Sequence, residues 1–199
     1  ALPSYEEIPI ACRMDEAVQS EYKRIENALV QVLRSDRRAA QKILSAYLNL
    51  LTVYPDQPYD QKPILYPDSD VPIVEPENIG DADTLGEKEQ RTLEIVRAGI
   101  QNGERALIYT SWVRTDSQQK LKKLLTDEGY RTEILTDKIK TTNREDWMQK
   151  KLAAGMQVLI VNPSLVETGL DLNAFTTLVF YSMGYKLFQL YTTDAADDK

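Results

Sequence analysis

Hydrophobic positions change their spacing several times along the chain, and each change predicts an element. Over Glu7 to Arg13, Ile8, Ile10 and Cys12 alternate with other residues, the period-two pattern of a short strand. From Asp15 the period lengthens: Val18, Tyr22, Ile25, Leu29 and Val32 recur at helical spacing, with Asp15 as the expected cap. After "RSD" a second helix is expected, with Ile43, Leu44, Tyr47, Leu48 and Leu51 as its apolar positions, so the two helices form a hairpin. The next stretch carries Pro55, Pro58, Pro63, Pro67, Pro72 and Pro76, which remove backbone donors and bar the helical region to preceding residues. An extended connection without regular structure is expected there.

Beyond it, strands and helices alternate at short spacing. "TLGE" (Thr84–Glu87) has the capping-box form and opens a helix that should run to Gly103. "RALIYTSW" reads as a buried strand, followed by a helix through Lys120, Leu121, Leu124 and Leu125 that stops at Gly129. "YRTEILT" is a strand, and "TNRE" (Thr142–Glu145) repeats the capping form before a helix ending at Gly155. "QVLIVN" and "TTLVFYS" complete the strands. Continuous apolar strands alternating with helices predict an α/β fold with a mostly parallel sheet covered on both faces. The strand at Ile8–Cys12 should join its edge.

Composition narrows the chemistry. The 199-residue chain has no histidine, which excludes His-dependent nucleophilic catalysis and His-ligated metal sites. Its net charge of −7 does not attract nucleic acid as a whole, so any such contact needs a local basic face or backbone amides. The acidic residues of the Pro-rich stretch (Asp68, Asp70, Glu75, Glu77, Asp81 and Asp83) lack the ligand spacing of a calcium loop and read as a solvated acidic loop. One cysteine, Cys12, cannot form an internal disulfide and fits a reducing, cytoplasmic setting. No apolar run approaches the roughly 20 residues that span a bilayer, so no membrane partner is expected.

In an open parallel sheet, ligands bind beyond the carboxyl ends of the strands. Two predicted loops sit there: "YTSW" after Ile108 and "NPSLVETGLD" after Val161. In the second, Gly169 permits a backbone conformation closed to other residues, Ser164 and Thr168 carry hydroxyls suited to phosphate, and Asp171 can accept from a sugar hydroxyl. From these residues alone the loop reads either as a phosphate-and-ribose site or as a tight connection whose polar residues face water.

Longer stretches carry a resemblance. "ALIYTSWVRTDSQQKLKKLLTDEGYRTEIL" resembles the segment that begins with motif IV in the second RecA-like lobe of superfamily-two helicases, and "VLIVNPSLVETGLDLNAFTTLVFYSMGY" resembles motif V and the strand after it. The nearest likeness is to Swi/Snf-type translocases and related bacterial mobile-element helicases. The start, "LPSYEEIPIACRMDEAVQSEYKRI", is similar to the segment those proteins place between their lobes. The resemblance implies a three-layer RecA-like lobe with an inserted helical hairpin. It divides the chain into residues 1–53 (edge strand plus hairpin), 54–84 (Pro-rich acidic loop) and 85–199 (the lobe, truncated before motif VI). It also implies that Thr110, Ser111, Ser164 and Thr168 approach the nucleic-acid backbone, and that Gly169 and Asp171 face the nucleotide ribose. Trp112, beside them, is read as packing rather than base stacking.

The sequence also departs from the family. It contains no G-x-x-x-x-G-K-[ST] phosphate loop, and no arginine follows Arg144, where an arginine-rich motif VI is expected. The expectation is therefore a lobe of an ATP-dependent DNA helicase or translocase. Alone it would be inactive and bind DNA weakly or not at all, with ATP and Mg2+ bound only in a full-length parent that supplies the first lobe. The competing expectation is a non-catalytic protein-interaction domain on the same fold.

Overall fold

A computed structural model describes residues 6–111, 117–167 and 169–182. The hairpin forms as α1 (Glu16–Ser35) and α2 (Arg37–Val53). Asp36 caps α2, its carboxylate accepting from the Arg38 and Ala39 amides at 3.1 and 3.0 Å. Asp15 occupies the equivalent place before α1 without a side-chain bond, so that expected cap is not made. Val18, Ile25, Leu29 and Val32 face Ala40, Ile43, Tyr47 and Leu50 in one apolar cluster. The inner face of α2 is thus rotated from the expected one. Leu44 and Leu48 are exposed (39% each), and Leu50 lies inside.

The Pro-rich segment is more ordered than expected. Ile64–Leu65 (β1) pairs antiparallel with Pro72–Val74 (β2), and Ile64, Val74 and Tyr54 join the hairpin's core. Prolines at the ends of short strands remove donors that such a two-stranded ribbon does not use. Buried Glu21 fastens the segment to α1, accepting from the Glu77 amide at 2.9 Å and from Arg24, which itself donates to the Glu75 carbonyl at 2.6 Å. The expected strand at Ile8–Cys12 does not form. Residues 6–15 have no regular structure, Ile8 is 67% exposed, and the Arg13 amide bonds to the Glu87 carboxylate (2.9 Å) instead of a strand neighbour. Alternation needs a face to bury, and this segment finds none.

Residues from Glu87 onward build the α/β layer: α3 (Glu87–Gln101), β3 (Ala106–Thr110), α4 (Ser117–Asp127), β4 (Thr132–Leu135), α5 (Arg144–Ala153), β5 (Val158–Val161) and β6 (Thr177–Ser182). The sheet runs β4-β5-β3-β6 with every pair parallel, as expected. Alternate side chains feed two cores. Ala106, Ile108, Val158 and Ile160 meet Val96, Leu121 and Leu125 on the α3/α4 face, while Leu107, Leu159 and Val161 meet Met148, Met156 and Phe175 on the other. Neither expected capping box forms. The Glu89 carboxylate reaches back to the Gly86 amide (2.9 Å), two residues later than expected, and Thr84 bonds to Asp81. At the second, Thr141–Asn143 makes a 3-10 turn, and Asn143 supplies no side-chain cap to α5. No helix among the described residues is long and apolar enough to cross a membrane.

Candidate functional site

Register places the two predicted loops together. β3 pairs with β5 from Ala106↔Val158 to Tyr109↔Val161, so both strands end side by side. Asn162, the first residue past β5, bridges the two loops. Its amide nitrogen donates to the Ser111 carbonyl at 3.2 Å, and its oxygen accepts from the Ser164 amide (2.9 Å) and hydroxyl (2.7 Å). Ser111 in turn bonds to Ser182 at the end of β6, its amide donating to the carbonyl at 3.1 Å and its hydroxyl at 2.9 Å. Three parallel strand ends are thereby tied into one surface.

The loop after β5 is held from below and from the side. Leu165, Val166, Leu170 and Leu172 pack onto the α5-side core, leaving Ser164, Glu167, Gly169 and Asp171 outside. Arg144, buried at the start of α5, donates to the Leu165 carbonyl at 2.8 Å and the Ile139 carbonyl at 3.2 Å. Glu145 accepts from the Asp171 amide at 3.3 Å. Gly169 has φ +88°, and a Cβ there would meet nothing within 4 Å, so conformation rather than close contact requires glycine. The Asp171 carboxylate accepts from the Asn173 amide (3.0 Å) and is exposed.

Of the predicted contact residues, Ser164, Gly169 and Asp171 lie on this exposed loop, and Ser111 is half-buried beside it. Thr110 does not face out. It is 0% exposed, its hydroxyl accepting from Gln118 at 2.7 Å, so it supports the surface from inside. Thr168 and Trp112 lie outside the described residues. Arg144 and Asn162 had no assigned role in the sequence. The Asn-Pro step after an apolar strand was the signal for Asn162, whereas nothing local distinguished Arg144 from a surface cation.

A second polar group escaped the sequence reading. On the α3/α4 face, the Tyr181 hydroxyl donates to Glu89 at 2.8 Å, and Lys120 pairs with the same carboxylate at 3.1 Å. Lys88 lies 4.3 Å from the Tyr181 ring centre and pairs with buried Asp56 of the Pro-rich segment at 2.6 Å. Burial alone would raise the Glu89 carboxyl, yet Lys120 and the Tyr181 hydroxyl hold it below its ordinary value. Burial dominates at Asp56 and raises it despite Lys88. Burial also drives the Tyr181 phenol upward. This cluster borders a cavity of about 400 Å3 between residues 10–18, the Pro-rich segment, α3 and β6. Its cations and carboxylates satisfy one another, which marks it as the joint between the Pro-rich segment and the α/β layer.

The family model for the helicase conserved C-terminal domain matches residues 87–193. The chain belongs to that family. Comparison of this helicase C-terminal domain with curated proteins yields no match. Among solved structures, it is similar to the Sulfolobus solfataricus SWI2/SNF2 ATPase C-terminal domain, with TM-score 0.63 and 16% identity over 86% of this chain and 69% of that one. It is also similar to the C-terminal part of the Fun30 ATPase domain, with TM-score 0.63 and 10% identity over 93% of this chain and 77% of that one. Shares of this size reach beyond residues 87–193 into the hairpin and Pro-rich segment. With the family match, they show a helicase C-terminal lobe of RecA-like fold.

Proposed function

We propose that this lobe serves an ATP-dependent DNA helicase or translocase, contributing one wall of the nucleotide site and part of the DNA track while the first lobe of the same parent supplies the rest. The observation that carries the reading is the Asn162 bridge, which makes the Ser111 end and the Ser164–Asp171 loop a single rigid surface at the carboxyl ends of adjacent parallel strands. Such strand ends are where open α/β sheets bind ligands. The exposed Ser164 hydroxyl donates to Asn162 in the free chain, and in this reading it turns that proton to a backbone phosphate when nucleic acid binds. The exposed Asp171 carboxylate is an acceptor, which suits a nucleotide's ribose hydroxyl rather than its phosphates. Hydrolysis of ATP bound between lobes supplies the energy for movement. This chain's part is to orient, because the sequence has no phosphate loop with its lysine.

The test is a coupled ATPase assay on the parent protein and on the 199-residue chain. In the parent, Asp171→Ala should lower turnover, and Ser164→Ala should weaken its stimulation by DNA. The isolated chain should show no turnover. DNA-stimulated hydrolysis by the isolated chain, abolished by Asp171→Ala, would overturn the reading of it as half of an active unit. Parent variants with unchanged turnover and stimulation would instead favour a protein-interaction role.

A further inference from the structure

The hairpin ends in a charge arrangement at odds with the rest of the protein. Residues 34–38 read Arg-Ser-Asp-Arg-Arg, three arginines against one aspartate, in a chain of net charge −7. All five residues are exposed. The one acid, Asp36, already accepts from the Arg38 and Ala39 amides, and no ion pair involves Arg34, Arg37 or Arg38 among the described residues. By contrast the next cation along α2, Lys42, pairs with Asp68 at 3.0 Å.

Placement adds to the signal. Arg37 and Arg38 occupy the first turn of α2, which contains no acidic residue. That end of a helix carries positive partial charge and favours anions, so two guanidinium groups there work against the helix. Arg34, in the last turn of α1, reinforces the same positive point from the neighbouring helix. The 20 residues of α1 place this tip about 30 Å from the helix start, which borders the joint cavity against α3 and β6. A distance of about 30 Å approaches one turn of duplex DNA.

We infer that the hairpin tip is a phosphate-contacting surface, with Arg34, Arg37 and Arg38 gripping the backbone of double-stranded DNA away from the strand-end loops. Guanidinium groups match phosphate geometry and hold their charge at any physiological pH. A local basic point is also what an acidic protein requires to hold a polyanion. The contact reads no sequence. It anchors the lobe along the duplex, and it rests on the reading of this lobe as part of a DNA-tracking protein.

The test is fluorescence anisotropy of a labelled duplex of about 20 base pairs, titrated with the full chain between about 20 and 200 mM salt, where phosphate contacts make affinity steeply salt-dependent. The variants are R34Q/R37Q/R38Q, a control triple K23Q/K62Q/K150Q with the same change in charge, and Ser164→Ala. Thermal unfolding by circular dichroism should be unchanged or slightly raised in the tip triple, since its side chains are exposed and two of the removed charges oppose the start of α2. The tip triple should bind at least about tenfold more weakly at low salt, and the slope of log affinity against log salt should fall by roughly 0.9 for each lost contact. The control should stay near wild type. Equal binding by both triples, or no binding by wild type at the lowest salt, would overturn the inference. If Ser164→Ala alone weakens binding, the tip inference fails while the lobe reading stands. Preferential binding to polyglutamate, lost in the tip triple, would replace DNA with an acidic polypeptide as the partner. Absence of any binding leaves the ATPase test of the parent to judge the lobe reading by itself.

Discussion

Replacing Glu89 with glutamine removes one charge from the buried joint while keeping its shape. Glu89 and Lys120 are only 4% and 8% exposed. The carboxylate accepts from Tyr181, Lys120 and the Gly86 amide, at 2.8, 3.1 and 2.9 Å, so all three of its partners are donors. A glutamine has one acceptor oxygen, so its amide group must point donors at a donor. Lys120 then becomes a buried ammonium without a counter-ion, because the nearby Asp56 is engaged by Lys88. Breaking such a pair costs about 3–5 kcal/mol. At roughly 2–4 °C per kcal/mol for a chain of this size, the midpoint should fall by about 6–20 °C. The measurement is thermal and urea unfolding, each followed by circular dichroism, of wild type, Glu89→Gln, Lys120→Met and the double variant. Removing both charges should recover most of the loss, since apolar replacements of buried pairs are often neutral or stabilising. A single-variant loss under about 1 kcal/mol, or strictly additive effects, would refute the account.

The same joint sets the sign of the pH dependence. Glu89 lies below its ordinary 4.5 when folded, so its contribution is present above that value and lost as pH falls through the folded pKa. Asp56 lies above its ordinary 3.8, so it favours the fold at low pH and loses that contribution as pH rises through its raised value. Between the ordinary values of 3.8 and 4.5 the two oppose each other. Glu89→Gln should flatten the acid limb of stability, and Asp56→Asn should steepen it.

Three further outcomes rest on packing and hydrogen bonding. Leu50→Ala, at a position 4% exposed, should destabilise by about 2–5 kcal/mol in urea unfolding, and Leu48→Ala, at one 39% exposed, by less than about 1 kcal/mol. The Tyr47 hydroxyl is buried without a hydrogen-bond partner among the described residues, and burial pushes its pKa up to about 12. Tyr47→Phe should therefore be neutral or stabilising by up to about 1 kcal/mol in the same assay, whereas a clear loss would reveal a partner for that oxygen. Asn162→Ala removes three hydrogen bonds at the strand ends and should cost about 1–3 kcal/mol, with faster amide exchange at Ser164 as its local signature.

Periodicity carried the architecture where burial on both faces left little choice. Ile108 and Ile160 point to one core while Leu107 and Leu159 point to the other, so continuous apolar runs identified parallel central strands before any pairing was known. The same reasoning failed where alternatives were energetically close. On α2, leucines at 44, 48, 50 and 51 lie on overlapping stripes, and only docking against α1 selects Leu50 over Leu48. At Ile8–Cys12 a period of two was present but no sheet edge met it. At Gly86 the cap moved because Glu89 could satisfy that amide and Lys120 together, a choice decided by residues distant in sequence.

The strand-end loop shows why the outer half of a site is legible and its scaffold is not. Ser164, Gly169 and Asp171 stand out because their chemistry is local: a hydroxyl, a positive φ and an acceptor within eight residues. Arg144 and Asn162 act through carbonyls 21 and 51 residues away, and no spacing rule links such partners before the chain has folded. Thr110 marks the converse error. A hydroxyl at the end of a strand looks like a contact residue, yet at 0% exposure its bond from Gln118 fixes the first turn of α4 to the strand. The surface offered to a ligand therefore depends on groups that never touch it. Changes at Asn162, Arg144 or Thr110 should alter the loop's order before they alter its chemistry, which is why amide exchange is the informative readout there and activity alone is not.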